Sequence, residues 1–317
     1  MRVQHPLLWI VCLSLFAACS RDRVGEPLPR RGLEISVAGQ LFHAGTRVVL
    51  WNDPGGHDAY RLERKFAPEL PGPSQSPKQL ARYDSFRGGL SDELSARVRR
   101  DGWRLEDLQK TVSQVVIHYD QCGTSRKCFE VLHDLRGLSC HFLLDLDGTI
   151  YQTLDLKERA WHAAQANSRS IGIEIANIGA YQSEEPLRAW YAKDSGGVRI
   201  TIPAEVGESG LPKDFVGRPA RPDLIRGQVN GKELVQQDFT ELQYRALEKL
   251  LVALSRIFPR IAARAPLGSD GKILDRAFAS NDDLHAFEGV IGHWHVTQEK
   301  VDPGPAFDWQ RILRAMK

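Results

Sequence analysis

Charge of a single sign is scarce in this chain: 42 lysines and arginines stand against 40 aspartates and glutamates, a formal balance of only +2 over 317 residues. No long single-sign run breaks that balance, so the basic tail or stripe that holds nucleic acid is missing and no nucleic-acid partner is expected. Apolar runs are short as well. After Leu7–Ala18, no stretch approaches the roughly 18 residues of a membrane-spanning helix, so the mature chain is not expected to span a membrane. Periodicity is missing from about 181 to 235, where glycine, proline and charge are dense; that stretch reads as an insertion lying over one face of a core. Cysteine is sparse, with five residues.

What the N-terminus has is more telling. Arg2 gives a positive start, Leu7 to Ala18 is apolar apart from Cys12 and Ser14, and small residues lead into Cys19, which is the pattern of a signal peptide over residues 1–19. Phe16-Ala17-Ala18-Cys19 resembles a bacterial lipobox, with Phe16 where leucine is usual. That resemblance implies lipidation of Cys19 and, with Ser20 next to it, an outer-membrane lipoprotein facing the periplasm that touches the membrane through its lipid only. Plain secretion is the alternative. Setting Cys12 and Cys19 aside leaves Cys122, Cys128 and Cys140, an odd number for an oxidising compartment. Six positions apart on a regular helix, Cys122 and Cys128 would stand roughly 9 Å from each other, so a bridge between them requires a non-helical loop.

Residues 20–107 read as a tether followed by an N-terminal extension. Pro27 and Pro29 mark the tether, Leu33 to Trp51 suggests a small hairpin before the Asp53-Pro54-Gly55-Gly56 turn, and Pro68, Pro71, Pro73 and Pro77 exclude a regular helix or central strand. A helix is expected near Leu90–Arg100. From about Leu108 to residue 317 the pattern changes. Val112–Ile117, Phe142–Leu146, Ile171–Ile178 and Glu288–Val296 read as buried strands, and Asp147-Gly148 makes a hairpin turn into Thr149–Gln152. Thr240 can cap a helix on which Leu247, Leu250, Leu251 and Leu254 form an apolar stripe, and a short helix ends the chain. The fold class is therefore α/β, a mixed central sheet flanked by helices.

Catalytic zinc takes three protein ligands and keeps a fourth position open for water. His118 and His293 each follow an apolar strand that can hold an imidazole rigidly, and Asp302 lies in the loop beyond His293. Each alone reads as an ordinary structural residue; together they are a candidate ligand set. His295 is a rival, because residues i and i+2 of a strand share a face.

Several segments then stand in a telling order: Val116-Ile117-His118-Tyr119, Leu138-Ser139-Cys140-His141-Phe142, Asp147-Gly148-Thr149-Ile150-Tyr151-Gln152, Arg159-Ala160-Trp161-His162-Ala163, Asn167 through Ser170-Ile171-Gly172-Ile173-Glu174, and Ile291-Gly292-His293 followed by Lys300-Val301-Asp302-Pro303-Gly304-Pro305. Over roughly 110–317 the chain resembles the type 2 N-acetylmuramoyl-L-alanine amidases, the zinc domain shared with phage amidase-type lysozymes and peptidoglycan recognition proteins. The resemblance implies zinc on His118, His293 and Asp302, with Glu174 and Lys300 as catalytic groups beside the open position. It also implies cleavage between the lactyl group of N-acetylmuramic acid and L-alanine in peptidoglycan or muropeptides, by a monomer. Trp161, His162 and Asn167 are expected at the substrate, where an aromatic body with a polar tip suits an amphipathic ligand. His141 is expected to orient a metal ligand.

Two departures stand out. Cys140 occupies a position where some relatives carry a catalytic tyrosine, and His295 one where small or acidic residues are common. The resemblance also implies a disulfide between Cys122 and Cys128; reduced thiols, or a pairing with Cys140, are the alternatives. A competing function is a peptidoglycan-binding module of the same fold without hydrolysis, which the loss of a metal ligand would favour.

Overall fold

A computed structural model describes residues 30–66 and 85–317; the signal segment, Cys19 with its lipobox, nearly all of the tether and the Pro68–Pro77 segment lie outside the described residues. The chain from Gly32 to Lys317 forms one compact unit. Its first strands, β1 (Glu34–Val37) and β2 (Gln40–His43), make the expected hairpin, and β3 (Val48–Leu50) follows. After a helix over Asp92–Asp101 come β4 (Gln114–Tyr119), β5 (Phe142–Leu144), β6 (Ile150–Gln152) and β7 (Ser170–Ile175). The segment read as an insertion holds β8 (Ala180–Tyr181), β9 (Tyr191–Asp194), β10 (Gly197–Ile200), β11 (Ile225–Val229) and β12 (Lys232–Gln236). The helix Glu241–Ile257, β13 (Gly289–Gly292) and the helix Trp309–Ala315 complete the chain.

Six strands form the central sheet in the order β13-β4-β7-β5-β6-β3. The first four run parallel, β6 turns back antiparallel to β5, and β3 runs parallel to β6. The sheet is thus mixed, as expected. The extension contributes one of its edges, and Ile35, Val37, Val48 and Leu50 belong to the main core, so from residue 32 onward the extension and the following domain share that core.

Strand alternation assigns the two faces. Val115, Ile117 and Tyr119 on β4, and Ile171, Ile173 and Ile175 on β7, share a core with Leu247, Leu250, Leu251 and Leu254 of the long helix. Each such leucine contributes about 1.5–3 kcal/mol on burial, an upper estimate. That helix begins at a capping box: Thr240 Oγ1 accepts from Gln243 N at 3.1 Å, and Gln243 Oε1 accepts from Thr240 N at 2.8 Å. The alternate residues, Val116, His118, Gly172 and Glu174, therefore point to the opposite face, where smaller clusters around Val116–Ile291 and around Cys140–Leu143 leave room for a polar site.

Two expected boundaries change. β13 stops at Gly292, and His293–His295 is a 3₁₀ turn rather than a continuing strand. The insertion is well structured, with a β9–β10 hairpin and a three-stranded sheet ordered β11-β12-β8. Its missing periodicity reflects short, half-exposed strands. Among the described residues, no helix is long and apolar enough to cross a membrane.

Candidate metal centre

The parallel register β13-β4-β7 brings three strand ends together. His118 sits in β4 directly opposite Glu174 in β7, and on the other side Ile117 pairs with Gly292, one residue before His293. Asp302 reaches the same point from the loop beyond. His118 Nδ1 lies 3.0 Å from His293 Nδ1 and 2.8 Å from Asp302 Oδ2, and His293 Nδ1 lies 3.0 Å from the same oxygen. All three residues are buried. Three lone-pair atoms converging this closely can be satisfied only in part by shared protons, whereas one divalent cation satisfies them all. Two imidazoles and a carboxylate are also a donor set that suits zinc with one position left open.

Glu174 strengthens that fit. Its Oε1 lies 4.0 Å from His118 Nδ1, while Oε2 is buried without a hydrogen-bond partner. Burial pushes its carboxyl well above the ordinary range, and the nearby Asp302 and Asp120 add to this against the opposing charges of Lys300 and Arg136. Burial, then the neighbouring His293, lowers His118 to about 4, so its imidazole is neutral and able to coordinate at neutral pH. For Asp302 burial acts upward, but His293 and His118 outweigh it and hold the group as a carboxylate.

A cavity of about 230 Å³ opens over this cluster, lined by His118, Glu174, His293, Lys300 and Asp302 together with Trp161, His162, Asp120 and Arg136. The five residues expected to carry metal and catalysis thus share one cavity. Asp120 and Arg136 were not foreseen. Asp120 follows His118 by two positions, whereas nothing in the sequence around Arg136 marks it.

The family comparisons bear on this geometry. The model of the N-acetylmuramoyl-L-alanine amidase family matches residues 108–305, most of the chain and all of the cavity's principal residues. The chain belongs to this family. The 1,6-anhydro-N-acetylmuramyl-L-alanine amidase AmpD of Haemophilus influenzae is 22% identical over 191 residues, 60% of this chain and 64% of that protein. A peptidoglycan-recognition protein of Drosophila melanogaster is 32% identical over 117 residues, 31% of this chain and 63% of that protein. The chain therefore spans just under two thirds of these relatives' lengths. Among solved structures, an AmpD derivative shares 19% identity at a TM-score of 0.32, covering 66% of this chain and 87% of that one. The Escherichia coli amidase AmiD, solved with anhydro-N-acetylmuramic acid-L-Ala-D-gamma-Glu-L-Lys, shares 19% at 0.36, covering 65% and 57%.

Within this site, several residues stand elsewhere than the sequence led us to expect. His295 is not a ligand: the 3₁₀ turn rotates it away, its Nδ1 accepts from Gly292 N at 2.8 Å, and its Nε2 lies 2.8 Å from Leu274 O. His141 orients no ligand; its Nδ1 accepts from Gly172 N at 3.0 Å, and its Nε2 lies 3.0 Å from Glu158 O. His162 takes that place instead. His118 Nε2 lies 3.0 Å from His162 Nδ1; with Nδ1 of His118 given to a cation, Nε2 would carry the proton and donate it to His162. His162 also lines the cavity, as does Trp161, but Asn167 does not. The Asn167 Oδ1 instead accepts from His162 N at 3.1 Å and Ala163 N at 2.7 Å, holding the turn that carries His162.

The Cys122–Cys128 disulfide is not formed; Cys122, Cys128 and Cys140 are free thiols. Thr124 caps a helix over Ser125–Phe129, and this helix turns Cys128 into the cluster with Phe129, Cys140 and Leu143 while Cys122 packs at its margin. Cys122 to Thr124 form a non-helical loop, as a bridge required, but Cys128 lies on the helix and packs inward, and the two sulfurs are not bonded. Burial drives all three thiols upward in pKa, which keeps them protonated at neutral pH.

Proposed function

We propose that this chain is a zinc-dependent N-acetylmuramoyl-L-alanine amidase that cleaves the amide between the lactyl group of N-acetylmuramic acid and L-alanine in peptidoglycan or its fragments. The observation that carries the reading is the convergence of His118, His293 and Asp302 within 3.0 Å of one another, beside a buried Glu174 oxygen that lacks a partner. His118, His293 and Asp302 would hold the ion. Bound zinc supplies an acidified water and a Lewis acid for the carbonyl. Glu174, held ionised by a cation bound beside it, would accept the proton of the attacking water and return it to the departing L-alanine nitrogen. Lys300, on the cavity wall, offsets the negative charge that develops on the carbonyl oxygen. Trp161 and His162 form the wall against which the sugar or stem peptide rests.

The test is mass spectrometry of muropeptides after incubation with the purified protein. Release of a stem peptide beginning with L-alanine is expected, stopped by a chelator and restored by zinc. Full activity in chelator, or a cut at another bond, would overturn the proposal. The location proposed for the chain rests on the sequence from Arg2 to Ser20 alone: an outer-membrane lipoprotein facing the periplasm, anchored by acyl chains on Cys19. Labelled palmitate should enter the wild-type protein and not Cys19→Ala; equal labelling of both would remove the anchor.

A further inference from the structure

The loop from Trp294 to Ala306 carries Lys300 and Asp302, yet after the short turn at its start it contains no helix or strand. Beyond its own backbone bonds, such as Trp294 N to Asp302 O at 3.1 Å, and Tyr244 Oη donating to Ala306 O at 3.1 Å, it is braced by the insertion. At the tip of the β11–β12 hairpin, Asn230 and Gly231 adopt φ of +48° and +73°, making a two-residue turn between the paired Val229 and Lys232. Asn230 Nδ2 donates to Lys300 O at 2.7 Å, with Trp294 O at 3.2 Å and Thr297 O at 3.3 Å around the same nitrogen. Two hydrogens serve three carbonyls, so the shortest contact, to Lys300, claims one of them. Asn230 is itself pinned, because its backbone N donates to Asp275 O at 2.7 Å and its Oδ1 accepts from Ala277 N at 2.9 Å.

The far end of the hairpin grips the same loop. Gln236 Nε2 donates to Pro303 O at 3.1 Å, and Gln236 Oε1 accepts from Ala306 N at 3.0 Å. Between these points Gly227 lies against Pro305, where a Cβ would stand 2.7 Å from the proline ring. On its other edge β12 pairs with β8, which follows β7 and Glu174, and Gln236 Nε2 also approaches Asn177 Oδ1 at 3.3 Å. The hairpin thus spans from the strand bearing Glu174 to the loop bearing Lys300 and Asp302.

We propose that the β11–β12 hairpin is a positioning element for the site, with Asn230 the residue that sets where Lys300 and Asp302 stand relative to Glu174. The activity arm of its test rests on the amidase reading above; the metal arm rests on the side-chain cluster alone. Asn230→Gly keeps the backbone conformation and removes every side-chain contact. Zinc affinity is measured by competition with a chromophoric chelator, kcat and KM on a muropeptide, and folding by thermal unfolding. Zinc should bind about 10-fold more weakly. kcat should fall about 10- to 100-fold with KM nearly unchanged, the signature of a misplaced group rather than a lost substrate contact. In a Lys300→Ala background, Asn230→Gly should cost little further kcat, a non-additivity that general destabilisation would not produce.

Glu233→Ala, an exposed change on the same hairpin, should leave all three readouts unchanged. Asn230→Asp, the second variant if glycine cannot be purified, retains the acceptor for Ala277 but aims a carboxylate at the carbonyls, and should lose at least about 10-fold in zinc affinity and in kcat against the wild type. Wild-type zinc affinity and kcat in either folded Asn230 variant, or fully additive costs with Lys300→Ala, would overturn the proposal. If the wild-type protein binds zinc but cleaves no muropeptide, the amidase reading fails while the zinc measurements still decide this one.

Discussion

Asp302 supplies the one formal negative charge among the three proposed ligands, which makes Asp302→Asn the most informative single substitution. It keeps shape and hydrogen-bonding capacity while removing an anionic oxygen that lies 2.8 Å from His118 Nδ1 and 3.0 Å from His293 Nδ1. Four-ligand structural zinc sites bind with about 10–16 kcal/mol, or roughly 3–4 kcal/mol for each ligand. Losing one ligand should therefore weaken binding on the order of 10²- to 10³-fold. Thermal unfolding with added zinc makes this visible. At zinc 100-fold above its Kd the wild type gains about 2.7 kcal/mol, whereas a variant bound 100-fold more weakly gains about 0.4 kcal/mol at the same concentration. Asp302→Asn also alters the contacts with His118 and His293, so each protein's gain is read against its own zinc-free unfolding. His295→Gln is the comparison: both its ring nitrogens are engaged within the protein, so the zinc-induced gain should persist on a less stable background. If Asp302→Asn kept the full gain and His295→Gln lost it, the ligand set assigned here would be wrong.

Other substitutions probe the surroundings of that set. Glu174→Gln should retain zinc and lower kcat about 10²- to 10⁴-fold; wild-type turnover would remove Glu174 from catalysis. His162→Phe keeps a ring but offers no acceptor to His118 Nε2, and should weaken zinc binding about 10- to 100-fold, with His162→Asn recovering part of the loss. Equal affinities in chelator competition would leave His162 as a wall residue only. Gly172→Ala places a Cβ 2.6 Å from His162 Nδ1 and 2.8 Å from Cys140 Sγ, so a loss of about 1–3 kcal/mol in urea unfolding is expected. Burial lowers His295 to about 3. The unfolded chain thus takes up a proton near pH 6.5 that the folded state refuses, and the stability present above that pH is lost as acid is added toward pH 3. His295→Gln should take up about one proton fewer on unfolding and lose stability less steeply between pH 7 and 4.

What could be read from the sequence was whatever depends on strand alternation and ordered motifs. Val115-Val116-Ile117 announced a buried strand, and a histidine at its end had to project from a rigid sheet, as His118 does. The capped helix after Thr240 was equally legible, because its apolar stripe and cap agree. Errors gathered where direction depends on a turn. The apolar residues before His293 continue into Trp294 and Val296, and pattern alone cannot show the strand ending at Gly292 and the rotation that removes His295. His162 stands beside His118 where His141 was expected, because the choice rests on which ring stands over Gly172, a tertiary fact. The insertion was illegible for a different reason: its important contacts are made by amide side chains to backbone carbonyls, which leave no periodic trace.

The distribution of the site over the fold follows from this division. His118, Glu174 and the residue before His293 occupy neighbouring parallel strands whose register fixes their separations to within a hydrogen-bonded ladder. Open parallel sheets gather ligands at the carboxyl ends of their strands for this reason. Lys300 and Asp302 have no such ladder. An irregular loop must hold a charged group to a fraction of an ångström if that group is to complete a metal shell or meet a developing charge, and left alone it would sample many positions. The cost of that freedom falls on the bound geometry, so the loop needs donors that saturate its carbonyls from outside. Asn230 and Gln236 supply them, which means the most rigid and the most adjustable halves of the site are joined through a segment that touches neither the metal ligands' side chains nor the cavity.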